Sequence, residues 1–426
     1  MKLGDKMNIT KQKGTRDIYS DDMVIWQYVE NIIRDICKNS NIKEIRTPVF
    51  EATQLYARSV GEQTDIVNKE MYTFLDRGNR SITLRPELTA GVMRAYIENG
   101  MNSMPQPVKL WYTGNMYRYE KMQKGRYREF SQFGVEIFGS NSYLADIETI
   151  TVANTLFEKL GILDKLTLSI NSIGCKTCRQ NYIEKLREYL STRIDDMCDT
   201  CKVRYEKNIL RIMDCKEEKC INHLKDAPMI SDYLCEECNS DFENLKNTLD
   251  LLNINYIVDK KIVRGLDYYN KTVYEYISKD LELAVGGGGR YDTLAEQLGA
   301  SNIPAVGFGI GLDRIILLLK SLDINSKINV RPDIYFLLSD DNVIQKGLKF
   351  IYDFKNSENN LITEHDIAKR SFKSQLKYAN NIKAKFVCIL GETEVKENKC
   401  IIKNMDNSSQ ELVELSIEKI LEYIER

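Results

Sequence analysis

The chain has 426 residues, 43% of them hydrophobic and only seven of them proline, which fits a soluble globular protein with two or three domains and a large core. No stretch approaches the roughly 20 apolar residues of a membrane span, and the polar start from Met1 to Thr10 does not read as a secretory signal, so the expected location is the cytoplasm. The formal net charge of -2 does not exclude nucleic acid, because only the local field near the phosphates matters.

In chain order, Val24, Ile25, Tyr28, Val29, Ile32, Ile33 and Ile36 recur at helical spacing, which predicts a helix from Val24 to Lys38 with Asp21 or Asp22 as its cap. Glu44 to Glu51 reads as an extended strand, and Pro48 suits an edge or an interrupted strand. Arg80 to Arg85 alternates as a strand, Pro86 ends it, and Glu87 to Glu98 reads as a helix. Val108 to Tyr119 and Arg128 to Phe138 are two strands of a hairpin with a polar loop from Glu120 to Tyr127. Tyr143 to Leu160 is a helix ended by Gly161, and Leu166 to Asn171 is a short strand.

From Cys175 to about Asp259 the chain reads as helical, charged and cysteine-rich, an insertion between the hairpin and later strands. Arg264 to Ile277 and Leu281 to Val285 return to strand. Gly286 to Gly289 reads as a tight turn, and Gly307 to Leu319 as strand into helix. After a polar linker, residues 330–426 alternate strands and helices over Asp333 to Leu338, Ser371 to Ala379, Phe386 to Leu390 and Glu411 to Ile424. The expected domains are therefore 1–325, with 175–259 inserted into it, and 330–426.

The chemistry concentrates in a few strings. Tyr117-Arg118-Tyr119-Glu120 and Gly125-Arg126-Tyr127-Arg128-Glu129-Phe130-Ser131-Gln132 place three arginines and two carboxylates around the hairpin loop. Guanidinium forks match phosphate oxygens, and carboxylates can orient them or hold an ammonium. Gln132 and Glu136 stand four apart on one strand, so they share a face. In Arg264-Gly265-Leu266-Asp267-Tyr268-Tyr269 the glycine permits close backbone approach, while adjacent tyrosines point to opposite faces unless a bulge realigns them. Gly307-Phe308-Gly309-Ile310-Gly311-Leu312-Asp313-Arg314 puts an arginine at a strand-to-helix junction. Each carboxylate has a plainer reading as a buried structural ion pair, and Arg118 one as a surface partner of Glu120.

Together these strings resemble motifs 2 and 3 of the class II aminoacyl-tRNA synthetases, and the segments at Arg264 and at Gly286 to Asp292 resemble those of the histidyl-tRNA synthetase family. The similarity runs from Gly14-Thr15-Arg16-Asp17 to the end, where Arg370 to Ala379 and Gly391-Glu392 resemble its anticodon-binding domain. The resemblance implies an α/β (α+β) fold: an antiparallel sheet core with a helical insertion, plus a C-terminal α/β anticodon-binding domain. It implies ATP-dependent ligation of L-histidine to histidine tRNA through a histidyl-adenylate. The substrate carboxylate is itself the nucleophile, so no general base is required, and His223 and His365 are not expected to be catalysts.

By the same resemblance, Arg118 and Arg264 act at the α-phosphate. Arg118, Glu120, Arg126 and Arg314 bind ATP, which carries Mg²⁺. Glu87, Thr89, Gln132, Glu136, Tyr268 and Tyr269 bind histidine, with Glu136 on the ammonium and the tyrosines around the imidazole. Gln123 and Lys124 contact tRNA. The segment from Val24 to Glu51 resembles motif 1 and implies a homodimer, with no membrane or DNA partner. Departures from the family pattern at Leu88, Lys121, Met122, Ser131 and Asp313 leave two alternatives: a paralog acting as a histidine-sensing regulator, or one charging a non-tRNA acceptor.

Eight of the eleven cysteines lie between Cys175 and Cys238. Cys175/Cys178, Cys198/Cys201 and Cys235/Cys238 are CxxC pairs, and Cys215 and Cys220 form a looser one. Two such pairs have the bite for one structural zinc. The reading adopted is no bound metal, with reduced cysteines packed in a small helical domain.

Overall fold

The structure, a computed structural model, describes residues 9–61, 64, 66–123, 125–262, 266–322, 331–339 and 341–425. The expectations for Arg264 and Lys124 fall outside the described residues. The chain divides into two units between residues 327 and 328.

In the first unit, α1 (Asp21–Asn39) buries Ile25, Val29, Ile33 and Ile36 of the predicted stripe, leaves Val24, Tyr28 and Ile32 half-buried, and buries Trp26 and Cys37 as well. Asp21 and Asp22 sit inside its first turn rather than capping it. The single strand expected over residues 44–51 is two short ones, β1 (Lys43–Glu44) and β2 (Phe50–Ala52), in different sheets. Pro48 has no N–H to give a ladder. The carbonyls of Thr47 and Pro48 accept instead from Arg85 Nη1, at 2.9 and 3.4 Å.

There follow α2 (Thr53–Val60), β3 (Thr73–Leu75), β4 (Ser81–Leu84) and α3 (Thr89–Glu98). The hairpin is β5 (Val108–Tyr117) with β6 (Glu129–Phe138), and α4 (Tyr143–Lys159) begins where Ser142 Oγ accepts from Leu144 N at 3.2 Å. Strand β7 (Leu166–Ser172) leads to the helical segment of α5 (Lys176–Leu190), α6 (Asp199–Lys207), α7 (Glu218–His223) and α8 (Glu236–Leu251). The chain returns through β8 (Ile257–Val258), β9 (Asn270–Ser278), β10 (Leu283–Arg290), α9 (Leu294–Gln297), β11 (Ala305–Gly311) and α10 (Leu312–Ser321).

Two strand assignments differ from expectation. Residues 266–269 form a bend and turn, and the strand starts only at Asn270. Gly286 to Gly289 are not a turn but the middle of β10, paired on both sides. Glycine is needed there for closeness: a Cβ on Gly286 would stand 2.6 Å from Ile310 Cγ1, and one on Gly288 2.8 Å from the Tyr274 ring while overlapping Gly307 O.

The eight-stranded sheet runs β1-β5-β6-β11-β10-β9-β7-β8. It is antiparallel from β5 to β7 and parallel only at its two edge pairings. Arg290, at the end of β10, is buried with Asp146 on α4, Nε to Oδ2 2.9 Å, which ties helix to sheet. A small sheet, β2-β4-β3, stands apart.

The second unit has β12 (Ile334–Leu338), α11 (Asp341–Asn356), β13 (Thr363–His365), α12 (Phe372–Asn381), β14 (Phe386–Leu390), α13 (Glu392–Lys396) and β15 (Lys399–Asn404). The segment read as one element from Glu411 to Ile424 is β16 (Gln410–Glu414) and α14 (Ile417–Ile424). Ser416 divides them, its Oγ accepting from Lys419 N at 3.3 Å. Sheet order is β13-β12-β14-β15-β16, parallel over the first three strands and antiparallel over the rest. The fold is the expected mixed α/β class, with an antiparallel core sheet, a helical insertion and a C-terminal α/β unit. Among the described residues no helix is long and apolar enough to cross a membrane.

Candidate active site

A cleft of about 370 Å³ opens on the large sheet of the first unit. Its floor is bare backbone of β10 and β11, at Gly286, Gly287, Gly309 and Gly311. Arg118, Glu120, Arg126, Arg314, Glu87, Thr89, Gln132, Tyr268 and Tyr269, singled out from distant parts of the sequence, all line it. Glu136 lies buried beside the cleft without lining it, and Gln123 is exposed outside.

One end of the cleft is cationic. Arg118 leaves the hairpin just past β5. Its Nε donates to Pro86 O at 2.8 Å, its guanidinium lies 5.4 Å from the Phe130 ring centroid, and its Nη1 is 3.8 Å from Glu120. Arg126 Nη1 reaches the other oxygen of Glu120 at 3.4 Å, and its buried Nε has no partner among the described residues. Arg314, in the first turn of α10, donates to Ala284 O and, at 3.4 Å, to Gly125 O. Burial, and then repulsion from Arg126, pulls the Arg314 pKa below the usual guanidinium range. One carboxylate among three guanidinium groups leaves an excess of positive charge that suits a polyanion.

The other end holds buried carboxylates. Glu87 accepts from Thr89 N at 2.6 Å and Ala90 N at 3.0 Å, so it occupies the N-terminus of α3, where the backbone dipoles favour an anion. Burial nevertheless raises its pKa. Glu136 is fully buried and accepts from Thr89 Oγ1 at 2.8 Å, Tyr112 OH at 3.0 Å and Tyr291 OH. Burial pushes its pKa up to about 8 against these three hydrogen bonds. A Cβ on Gly307 would overlap Glu136 Oε2, so the strand beside it must be glycine there. Tyr268 and Tyr269 both face the cleft because the turn, not a strand, carries them. Their ring centroids are 4.7 Å apart, and Tyr291 meets them edge-on at 5.5 and 6.3 Å.

Sequence reasoning passed over Tyr112 and gave no site role to Tyr291 or Arg16, although both lie in strings that carry the resemblance. Tyr112 faces Gly134 across the hairpin, a bulky residue opposite a glycine, and that pairing was a usable signal. Arg16 pairs with Asp313, whose Oδ2 also accepts from Ser131 N at 2.7 Å, and stacks over Tyr127 at 4.3 Å. The N-terminal segment thereby braces the hairpin and the start of α10. Away from the cleft, the eight clustered cysteines gather into two groups of four, Cys175, Cys178, Cys235 and Cys238, and Cys198, Cys201, Cys215 and Cys220.

Antiparallel strands flooring a cleft, with arginines supplied by a hairpin and by a strand-to-helix junction, set this unit apart from the parallel-sheet nucleotide folds. This is the fold of a class II aminoacyl-tRNA synthetase. Residues 14–315 match the family described as Histidyl-tRNA synthetase, and residues 354–426 match the Anticodon binding domain. The chain belongs to the histidyl-tRNA synthetase family, and it is an enzyme that ligates histidine to tRNA at the expense of ATP. It is 49% identical to the histidine–tRNA ligase of Caldanaerobacter subterraneus subsp. tengcongensis, over 96% of this chain and 97% of that one. It is 47% identical to that of Acetivibrio thermocellus, over 95% and 96%. Apo histidyl-tRNA synthetase of S. aureus superposes with a TM-score of 0.82 at 35% identity, covering 98% of this chain and all of that one.

Proposed function

We propose that the cleft is where histidine and ATP react, with phosphates at the arginine end and histidine at the carboxylate end. The observation that carries this reading is the arrangement: Arg118, Arg126 and Arg314 gather at one part of the lining, while Glu87 and Glu136 take hydrogen bonds from backbone N–H groups and hydroxyls. ATP enters as its magnesium complex. The histidine carboxylate attacks the α-phosphorus, the adenylate forms, and pyrophosphate leaves. The terminal ribose hydroxyl of tRNA then attacks the acyl carbon, and AMP leaves.

Arg118 meets the charge building on the α-phosphate in this reading, which is supported by its contacts to Pro86 O and Phe130, since a guanidinium held there needs little reorganisation. Arg264 joins it, a role that rests on the sequence resemblance. Arg126 and Arg314 take the outer phosphates and the nucleotide, and Glu120 sets the two hairpin guanidinium groups. Glu87 feels the charge of Arg118, so it sits on the phosphate side and is the better partner for the ammonium, with Thr89 and Gln132. Glu136, deeper and among Tyr268 and Tyr291, belongs to the imidazole side with Tyr269. That exchanges the ammonium role first expected for Glu136.

For partners, histidine tRNA would meet Gln123 and Lys124 at the hairpin loop, the helical insertion would touch its acceptor arm, and residues 330–426 would bind the anticodon. A homodimer is proposed through residues 43–51 and the small sheet, where Val49, Phe50, Phe74 and Leu75 are exposed. These lie at the C-terminal end of, and beside, the Val24 to Glu51 segment expected to form it; Ile25, Val29, Ile33 and Ile36 of that segment are buried in their own protomer. Histidine-dependent exchange of labelled pyrophosphate into ATP tests the core of this reading; a folded protein without exchange would overturn it.

A further inference from the structure

The two cysteine groups are built alike, and neither is needed for the adenylate chemistry. In each group every sulfur lies within 4.8 Å of the other three. Measured pairs include Cys175 to Cys178 at 3.5 Å, Cys175 to Cys235 at 4.0 Å and Cys198 to Cys215 at 3.9 Å. Four thiolates about 2.3 Å from a tetrahedral zinc have sulfur–sulfur edges of about 3.8 Å. All eight cysteines are unbridged. We propose that this chain holds two structural zinc ions, one in each group of four cysteines.

Local structure supports both sites. Cys175, Cys198 and Cys235 each stand immediately before a helix, with extended backbone, and Cys178, Cys201 and Cys238 follow in the first turn. The same bite is thus made three times, and the Cys215-to-Cys220 pair completes the fourth. Backbone N–H groups already point at sulfur: Cys235 N donates to Cys178 Sγ at 3.0 Å, and Cys198 N to Cys220 Sγ at 3.2 Å. Such donors, and helix N-termini, favour thiolate over thiol. Zinc with four thiolates carries a net charge of -2, which those dipoles offset. All eight cysteines of the insertion are used, while Cys37, Cys388 and Cys400, the remaining three, lie in neither group.

The sites also have something to hold. The first group joins the start of α5, just after the chain leaves β7, to the start of α8, the last helix before it rejoins the sheet at β8. One residue beyond Cys178, Arg179 donates to Tyr269 O at 2.9 Å. The second group joins α6 and α7 through Cys215. Just past α6, Asn208 donates to Asp267 at 3.0 Å, with Arg211 3.4 Å from the same carboxylate. Both zinc ions would therefore brace the insertion against the turn that carries Tyr268 and Tyr269.

Metal analysis of the full-length protein, expressed with ample zinc and purified without chelator, tests this. Two zinc ions per chain are expected, both released by an organomercurial that titrates the thiols. Cys178→Ser with Cys238→Ser should lose one zinc, and Cys201→Ser with Cys220→Ser the other. Should either double variant fail to fold, cobalt(II) incorporated into the unaltered protein should give tetrahedral thiolate–cobalt absorption at two equivalents. One zinc per chain would overturn the second site. A folded protein with no zinc and every cysteine of the insertion open to a thiol reagent would overturn both, as would disulfides within the groups or bound iron.

Discussion

The two ends of the cleft are finished to different degrees. At the carboxylate end, Glu136 meets three hydroxyl donors and Glu87 two backbone N–H groups, all but sealed from solvent. At the arginine end, guanidinium groups are steadied by carbonyls and one shared carboxylate, with long contacts of 3.4 and 3.8 Å. The first end is already satisfied in the free protein. The second concentrates like charge. On the proposed reading, binding at the first is recognition by a preformed shape, while the second holds an electrostatic demand that a triphosphate would meet, most strongly as charge redistributes in the transition state.

The most direct test of that difference is Arg118→Ala. It should lower histidine-dependent pyrophosphate exchange by 100-fold or more, about 3 kcal/mol in the transition state, with little change in thermal midpoint. Arg264→Ala should match it, and an unchanged rate in either would remove that residue from the phosphate site. Next comes Arg290→Ala, which leaves Asp146 buried without its partner and should destabilise the fold by about 3–5 kcal/mol in denaturant unfolding.

Two glycines sharpen the comparison further. Gly307→Ala pushes a methyl into Glu136 at the closed end and should cost about 1–3 kcal/mol and raise the histidine KM. Gly311→Ala, at the arginine end, meets only Arg314 Cδ at 3.7 Å and the Val285 carbonyl at 3.7 Å, ordinary contact, and should be close to neutral. Equal destabilisation by the two would mean that the ends do not differ in packing.

The arginine end was readable in the sequence because its residues come in short strings, Arg118 to Arg128 and Gly307 to Arg314, where spacing and type declare the chemistry. The carboxylate end was only half readable. Glu136 stood out on its strand, but its hydroxyl partners come from β5, α3 and the residue after β10, and register across a sheet is not written locally. The glycine run misled for a related reason. Four glycines in a row are the composition of a turn, and only the bulk of Ile310, Phe308 and Tyr274 opposite makes them a strand. The cysteine pairs were visible by spacing, yet which pair meets which depended on where α5, α6, α7 and α8 turn.

The remaining test is of pH dependence, and it isolates Glu136. In the unfolded chain this carboxyl titrates near the ordinary value of 4.5, while in the fold burial moves it up to about 8. Between those limits the folded protein holds a proton that the unfolded chain has lost, so stability falls as pH rises and levels off above about pH 8. Glu87, Asp146 and Asp313 are shifted in the same direction by burial, so the bare profile of the protein cannot assign the slope. Glu136→Gln keeps the shape and removes the titration. The difference between the thermal midpoints of the two proteins should therefore shift steadily in favour of the glutamine variant from pH 5 to about pH 8 and then stay constant. A difference flat across that range would mean that Glu136 is ionised in the fold, with the three hydroxyls supplying enough hydrogen bonding to outweigh its burial.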